Sequence, residues 1–168
     1  MTGGVGFVGS HLVAELLKRR YKVSRVDIME KRVNPEQLGV GKTYEIRITI
    51  TEEMVEHFAR ATGDYNPIHM DEDYAKGTIF KTRVVHGMLH AGLISGIVGT
   101  RFPGAGTIYL AQTLKFLKPV FIGDEVTYRL KVLEYLQEKN RLRLETVCIN
   151  QRSETVLTGE ALVMPPKK

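Results

Sequence analysis

The chain has 168 residues, is 43% apolar and 26% charged, and carries a formal net charge of +5. That length suits one domain, or one domain with an extension, and the composition excludes a disordered chain. Its one cysteine, Cys148, excludes an internal disulfide, and no apolar run reaches the length of a membrane span.

Apart from Lys18 to Arg20 the cations are scattered, with no aromatic-plus-basic recognition motif. This argues against a nucleic-acid partner and suits a polyanionic small ligand such as a nucleotide-bearing thioester. The apolar N-terminus lacks a basic leader and contains His11 and Glu15, so no signal peptide is expected. With the lone cysteine, this predicts a cytoplasmic protein.

In chain order, Gly3, Gly6 and Gly9 come first, followed by a helical stretch and a strand-like "YKVSRVD" with Asp27. This resembles the opening of short-chain dehydrogenases and sugar-nucleotide epimerases. Such a site needs a strand before its glycines, and only Met1 and Thr2 stand there. Residues 1–33 are therefore expected to be a non-functional extension, with Met29 a plausible start, and residues 34–168 to form the working domain.

"GKTYEIRITI" puts Tyr44, Ile46, Ile48 and Ile50 on one face at period two, which predicts a half-buried strand. A helix follows from Thr51, a good N-cap, to Gly63, with Val55, Phe58 and Ala59 inward. "DEDYAKGT" predicts a short helix or turn. "VVHGMLHAGLISGIVGTRFPG" is apolar nearly all round and rich in small residues, which predicts a buried helix. From Gly106 onward the alternation lasts about sixty residues, with turns at "KPVFIGDE", "QEKN" and "QRSE". Four long antiparallel strands are expected, and an α+β fold in which a curved sheet wraps one long helix. Cys148 falls in one of these strands and is expected to be a small buried hydrophobe.

Two segments carry candidate chemistry. In "TGDYNPIH", Asp64 precedes His69 by five residues, and Pro67 stiffens the loop between them. Both groups facing one cavity could hold a water and move its proton. The plainer account is that Asp64 caps a turn and His69 makes a structural hydrogen bond. No third ligand stands at useful spacing for a metal. In "VVHGMLHAGLISG", Gly87 opens the buried helix, where unpaired N–H groups and the helix dipole favour negative charge on a polarised carbonyl. His86, His90 and Ser95 lie in the same element, where packing or capping is the plainer role.

"ARATGDYNPIHMDEDYA", "VVHGMLHAGLISGIVG" and "GTIYLAQTLKFLKPVFIGDEVT" together resemble the MaoC-like (R)-specific enoyl-CoA hydratases, from about Gly39 to Val163. His90 and Gly92 depart from the apolar and small residues expected there. The resemblance implies a hotdog fold, a homodimer, and an acyl-CoA thioester as substrate with no cofactor beyond it. It implies that Asp64 and His69 activate water, that Asn66 holds their loop, that the Gly87 N–H binds the thioester oxygen and that Ser95 supports the site. It implies reversible syn addition of water to a trans-2-enoyl-CoA, giving an (R)-3-hydroxyacyl-CoA. Arg83, Lys115 and Lys118 are candidate contacts for the CoA phosphates, each alternatively a solvated charge. An acyl-carrier-protein dehydratase, an acyl-CoA thioesterase of the same fold and a non-catalytic acyl-CoA-binding module are the rivals. Acyl chain length is expected to depend on how Tyr109, Leu110, Gln112 and Leu114 pack.

Overall fold

A computed structural model describes residues 38–166, so the Gly3–Gly6–Gly9 pattern and the 1–33 extension lie outside the described residues. The first strand, β1 (Thr43–Thr49), buries Ile48 and half-buries Tyr44 and Ile46, as the period-two pattern requires. Helix α1 (Glu52–Thr62) starts where the Thr51 side chain accepts from the Met54 N–H. It stops at Gly63, whose φ of +77° is a left-handed conformation that glycine takes without a Cβ penalty. Met54, Val55 and Ala59 are buried along its inner face, and Phe58 packs beside them.

Two short helices follow: α2 (Pro67–Met70), with proline in its first turn, and α3 (Glu72–Lys76), capped by Asp71. The long helix α4 (Gly87–Thr100) buries Leu89, His90, Leu93, Ile94, Ile97 and Val98. Then come β2 (Ile108–Phe116), β3 (Glu125–Leu136), β4 (Arg141–Asn150) and β5 (Thr155–Met164).

The five strands form one antiparallel sheet in the order β1-β3-β4-β5-β2. Strands β3 and β4 are central, and Val126, Tyr128, Leu130 and Val132 alternate inward along β3 opposite Leu142, Leu144 and Cys148 of β4. Those side chains and the buried face of α4 share one apolar core. A sheet with one apolar face stabilises itself by closing that face with a helix, which is the hotdog arrangement expected of the sequence. Cys148 is buried, and burial pushes its thiol up to about 12, so it stays an inert hydrophobe.

The segment before α4 ties the site to the sheet. Val84 donates its N–H to the Ile68 carbonyl at 3.2 Å and bridges to Phe121, and Val85 donates to the Val120 carbonyl at 2.8 Å. The Asp64–His69 loop, the start of α4 and the β2–β3 connection thus meet at one end of the helix.

Candidate active site

Asp64 follows the Gly63 turn directly. Its N–H reaches Thr62 Oγ1 at 3.3 Å, and its Oδ1 accepts the Asn66 N–H at 3.3 Å, so its carboxylate is held by its own loop. Asn66 caps α2: its Oδ1 accepts the Ile68 N–H at 3.2 Å. Asn66 therefore shapes the loop and is not among the residues that line the cavity.

His69 sits on α2, and its Nδ1 lies 2.7 Å from the Val84 carbonyl oxygen. A carbonyl oxygen only accepts, so Nδ1 carries the proton and Nε2 is left with the lone pair. That bond fixes the tautomer of the neutral ring.

His86, immediately before α4, is 1% exposed. Its Nε2 lies 2.9 Å from the Asp64 backbone oxygen, and its ring centroid is 4.0 Å from that of His69 and 4.9 Å from that of Phe58. Burial holds its pKa below the ordinary value, and the nearby His69 adds to this. The hydrogen bond to Asp64 and the Asp64 carboxylate oppose it without reversing it. His86 is thus neutral near pH 7.

These side chains open onto a cavity of about 460 Å³. Asp64, His69 and His86 line it with Gly87, Met88 and His90 of α4, and Val84, Val85, Val120 and Leu157 give it apolar walls. A Cβ at Gly87 would sit 2.8 Å from Cε1 of Phe116, so that exposed ring would have to shift to admit one. No side chain caps α4; the Leu89 N–H bonds the His86 carbonyl at 3.1 Å, and the Gly87 and Met88 N–H groups have no partner among the described residues. Gly87 and Met88 line the cavity together with the His69 imidazole and the Asp64 carboxylate.

Asp64, His69 and His86 each bring a ligand-capable atom to within 4.8 Å of the others. Sequence spacing offered no such third member, because His86 is 22 residues from Asp64 and is delivered by the fold.

Three expected contacts fall elsewhere. Ser95 is exposed and outside the cavity lining. It lies eight residues beyond Gly87, about 12 Å along the helix and turned some 80° away from it. Arg83 is only 19% exposed and is held between Glu52 at 2.6 Å and Glu72 at 3.6 Å, so its charge is already matched. Lys115 is exposed on β2 away from the lining. Lys118 does line the cavity, although Glu154 stands 2.6 Å from its Nζ. Of the residues expected to set chain length, Tyr109 and Gln112 bond each other on β2, while Phe116 and Leu117 from its far end line the cavity instead.

Fold and site together define a hotdog protein with an imidazole, a carboxylate and an open helix N-terminus around one cavity. Comparison with known proteins narrows this. The family model described as "MaoC like domain" matches residues 34–156. A 3-hydroxybutyryl-CoA dehydratase of Methylorubrum extorquens is 48% identical over 133 residues, covering 79% of this chain and 84% of that protein. An (R)-specific enoyl-CoA hydratase of Rhodospirillum rubrum is 44% identical, covering 79% of this chain and 92% of that protein. The solved structure of R-hydratase PhaJ1 from Pseudomonas aeruginosa superposes with a TM-score of 0.74 at 46% identity, covering 77% and 83% of the two chains. The chain belongs to the MaoC-like family of hydratases and dehydratases.

Proposed function

We propose that this protein is an (R)-specific enoyl-CoA hydratase, a hydro-lyase that adds water reversibly to trans-2-enoyl-CoA. The observation that carries the reading is the pairing of a fixed His69 Nε2 lone pair with the Asp64 carboxylate beside the uncapped start of α4. A water held between the pair loses a proton to it as the water oxygen bonds C3, and the pair returns a proton to C2. Both events occur from one side of the substrate, which is syn addition. Negative charge grows on the thioester oxygen meanwhile, and the Gly87 N–H and the helix dipole stabilise it. Asn66 keeps the loop in shape. The thioester itself acidifies C2, so the chemistry asks for no metal or redox group. The similar proteins named as an (R)-specific enoyl-CoA hydratase and a 3-hydroxybutyryl-CoA dehydratase support both the stereochemistry and the reversibility.

Loss of crotonyl-CoA absorbance with chiral analysis of the product tests the reading. (R)-3-hydroxybutyryl-CoA is expected. Release of free thiol without hydration would make the protein a thioesterase, and no turnover would make it a binding module. Parallel assays with acyl-carrier-protein thioesters test for the dehydratase of that carrier.

The reading includes a homodimer in the cytoplasm. β2 is an edge strand, and Ile108, Leu110, Phe116 and Leu117 are exposed along it and just beyond, with Met88 at the cavity mouth. An apolar edge of this kind invites pairing with a second copy, and the joint interface is expected to exceed about 1,000 Å². Light scattering at micromolar concentration tests it: a fully active monomer near 19 kDa overturns the dimer. Among the described residues no helix is long and apolar enough to cross a membrane. Residues 34–168 are assigned to the reaction and residues 1–33 to an extension with no part in it. A saturable calorimetric signal with NAD(H) would reverse the second assignment.

A further inference from the structure

We propose that His86 is a positioning residue that sets the geometry of the Asp64–His69 pair and locks the pair to the start of α4. The proposal rests on the reading of Asp64 and His69 given above. Because the Asp64 carbonyl can only accept, His86 Nε2 carries the proton and donates it across 2.9 Å. The other hydrogen bonds of Asp64 among the described residues, from Asn66 and to Thr62, stay within its own exposed loop. The bond from His86 spans 22 residues and anchors that loop to a rigid helix.

The same ring lies against His69 at a centroid distance of 4.0 Å, with Phe58 at 4.9 Å. His69 is thus held at Nδ1 by Val84 and along its face by His86. The next residue is Gly87, so one imidazole connects the Asp64 backbone, the His69 ring and the helix N-terminus. His86 does not cap its own helix. Its Nε2 proton goes to the Asp64 loop, its carbonyl accepts the Leu89 N–H at 3.1 Å, and the Gly87 and Met88 N–H groups have no partner among the described residues. Its Nδ1 is buried and has no partner among the described residues, and such an atom normally carries a desolvation cost. Its neutral state keeps a second positive charge from forming beside His69 whenever that base takes a proton.

Two substitutions separate donor from shape. His86→Gln places an amide N–H at the reach of the imidazole Nε2 and keeps the bond to Asp64. His86→Phe keeps a ring against His69 and removes the donor. His86→Phe is expected to lower kcat by about 10- to 100-fold with KM within about threefold, the scale of a misplaced catalytic group. His86→Gln is expected to recover kcat to within about fivefold of the parent, since the orienting bond survives. Thermal melts run alongside, and His86→Leu replaces the Phe variant if that one does not fold. Parent-like kcat without the donor, equal impairment with and without it, or a loss confined to KM each overturns the proposal. Asp64→Asn is measured in parallel. If it keeps parental turnover, the pair itself is misread. If it is inactive while His86→Phe is not, only the role of His86 fails.

Discussion

One helical turn separates His86 from His90, and both are buried imidazoles with one nitrogen bonded and the other without a partner among the described residues. His86 gives its bond to the backbone of the Asp64 loop. His90 Nδ1 meets the hydroxyl of Tyr128 at 2.6 Å, deep between α4 and β3. Both are held neutral near pH 7 by burial, His90 with its pKa lowered to about 4. The difference lies in what each bond holds. The bond of His86 fixes the loop of Asp64 at the cavity, whereas that of His90 fixes a helix against a sheet. Residue type and burial look alike at the two positions, and the bonded partner tells them apart.

The comparison breaks first at the pair beside His86. Asp64→Asn and His69→Ala are each expected to cut hydration by about 10²- to 10⁴-fold, the usual scale for losing a general acid–base group. Folding should survive, because Asp64 is exposed and His69 only half-buried. Steady-state rates with matched thermal melts check this. Near-parental turnover in either variant removes that residue from the chemistry.

A smaller effect, on stability and not on rate, is expected at the other histidine. The folded pKa of His90 lies below its ordinary value of 6.5. Between pH 6.5 and about 4 the unfolded chain binds a proton that the folded chain refuses. Stability therefore falls as the pH drops through that window, by up to about 1.4 kcal/mol per pH unit. His86, lowered in the same direction, adds to the trend. Replacing both partners, His90→Leu with Tyr128→Phe, removes the titrating group and leaves no hydroxyl stranded in the core. Urea unfolding at pH 7 and pH 5 should show a shallower loss in the double variant than in the parent. An unchanged slope means that His90 titrates freely and the buried bond is misassigned.

Local chemistry made much of this legible beforehand. Thr51 and Gly63 announced α1 and alternation announced the strands, whereas Pro67, read as stiffening an extended loop, opens the short helix α2 that carries His69. What escaped was contact over long separations. Nothing in the run from Asp64 to His86 signals that the second will bond the first, since that depends on α4 docking against α2 through Val84. Ser95 was placed by its element, but the phase of the helix turns it aside. Arg83 looked like a free cation because the acids that meet it, Glu52 and Glu72, stand 31 and 11 residues earlier.

The smallest expected effect separates the cations. Arg83 is pinned between two carboxylates at 19% exposure, whereas Lys118 is 50% exposed, has one acidic partner among the described residues and lines the cavity. A half-exposed lysine at a cavity mouth attracts a phosphate through a screened field. Lys118→Gln should therefore raise KM for crotonyl-CoA by about two- to fivefold at low salt, with little effect at high salt, where the Debye length is only about 3 Å. The kcat should not move, because Lys118 is not one of the groups assigned to the reacting atoms. Arg83→Gln should leave KM alone and cost stability, on the order of 1 kcal/mol for a partly exposed pair. The crotonyl thioester of N-acetylcysteamine, which has no phosphates, distinguishes charge from shape. Its KM should be the same for the parent and for Lys118→Gln. An equal rise with both thioesters would mean that Lys118 shapes the cavity mouth, and an equal rise for Arg83→Gln would mean that neither cation has been told apart.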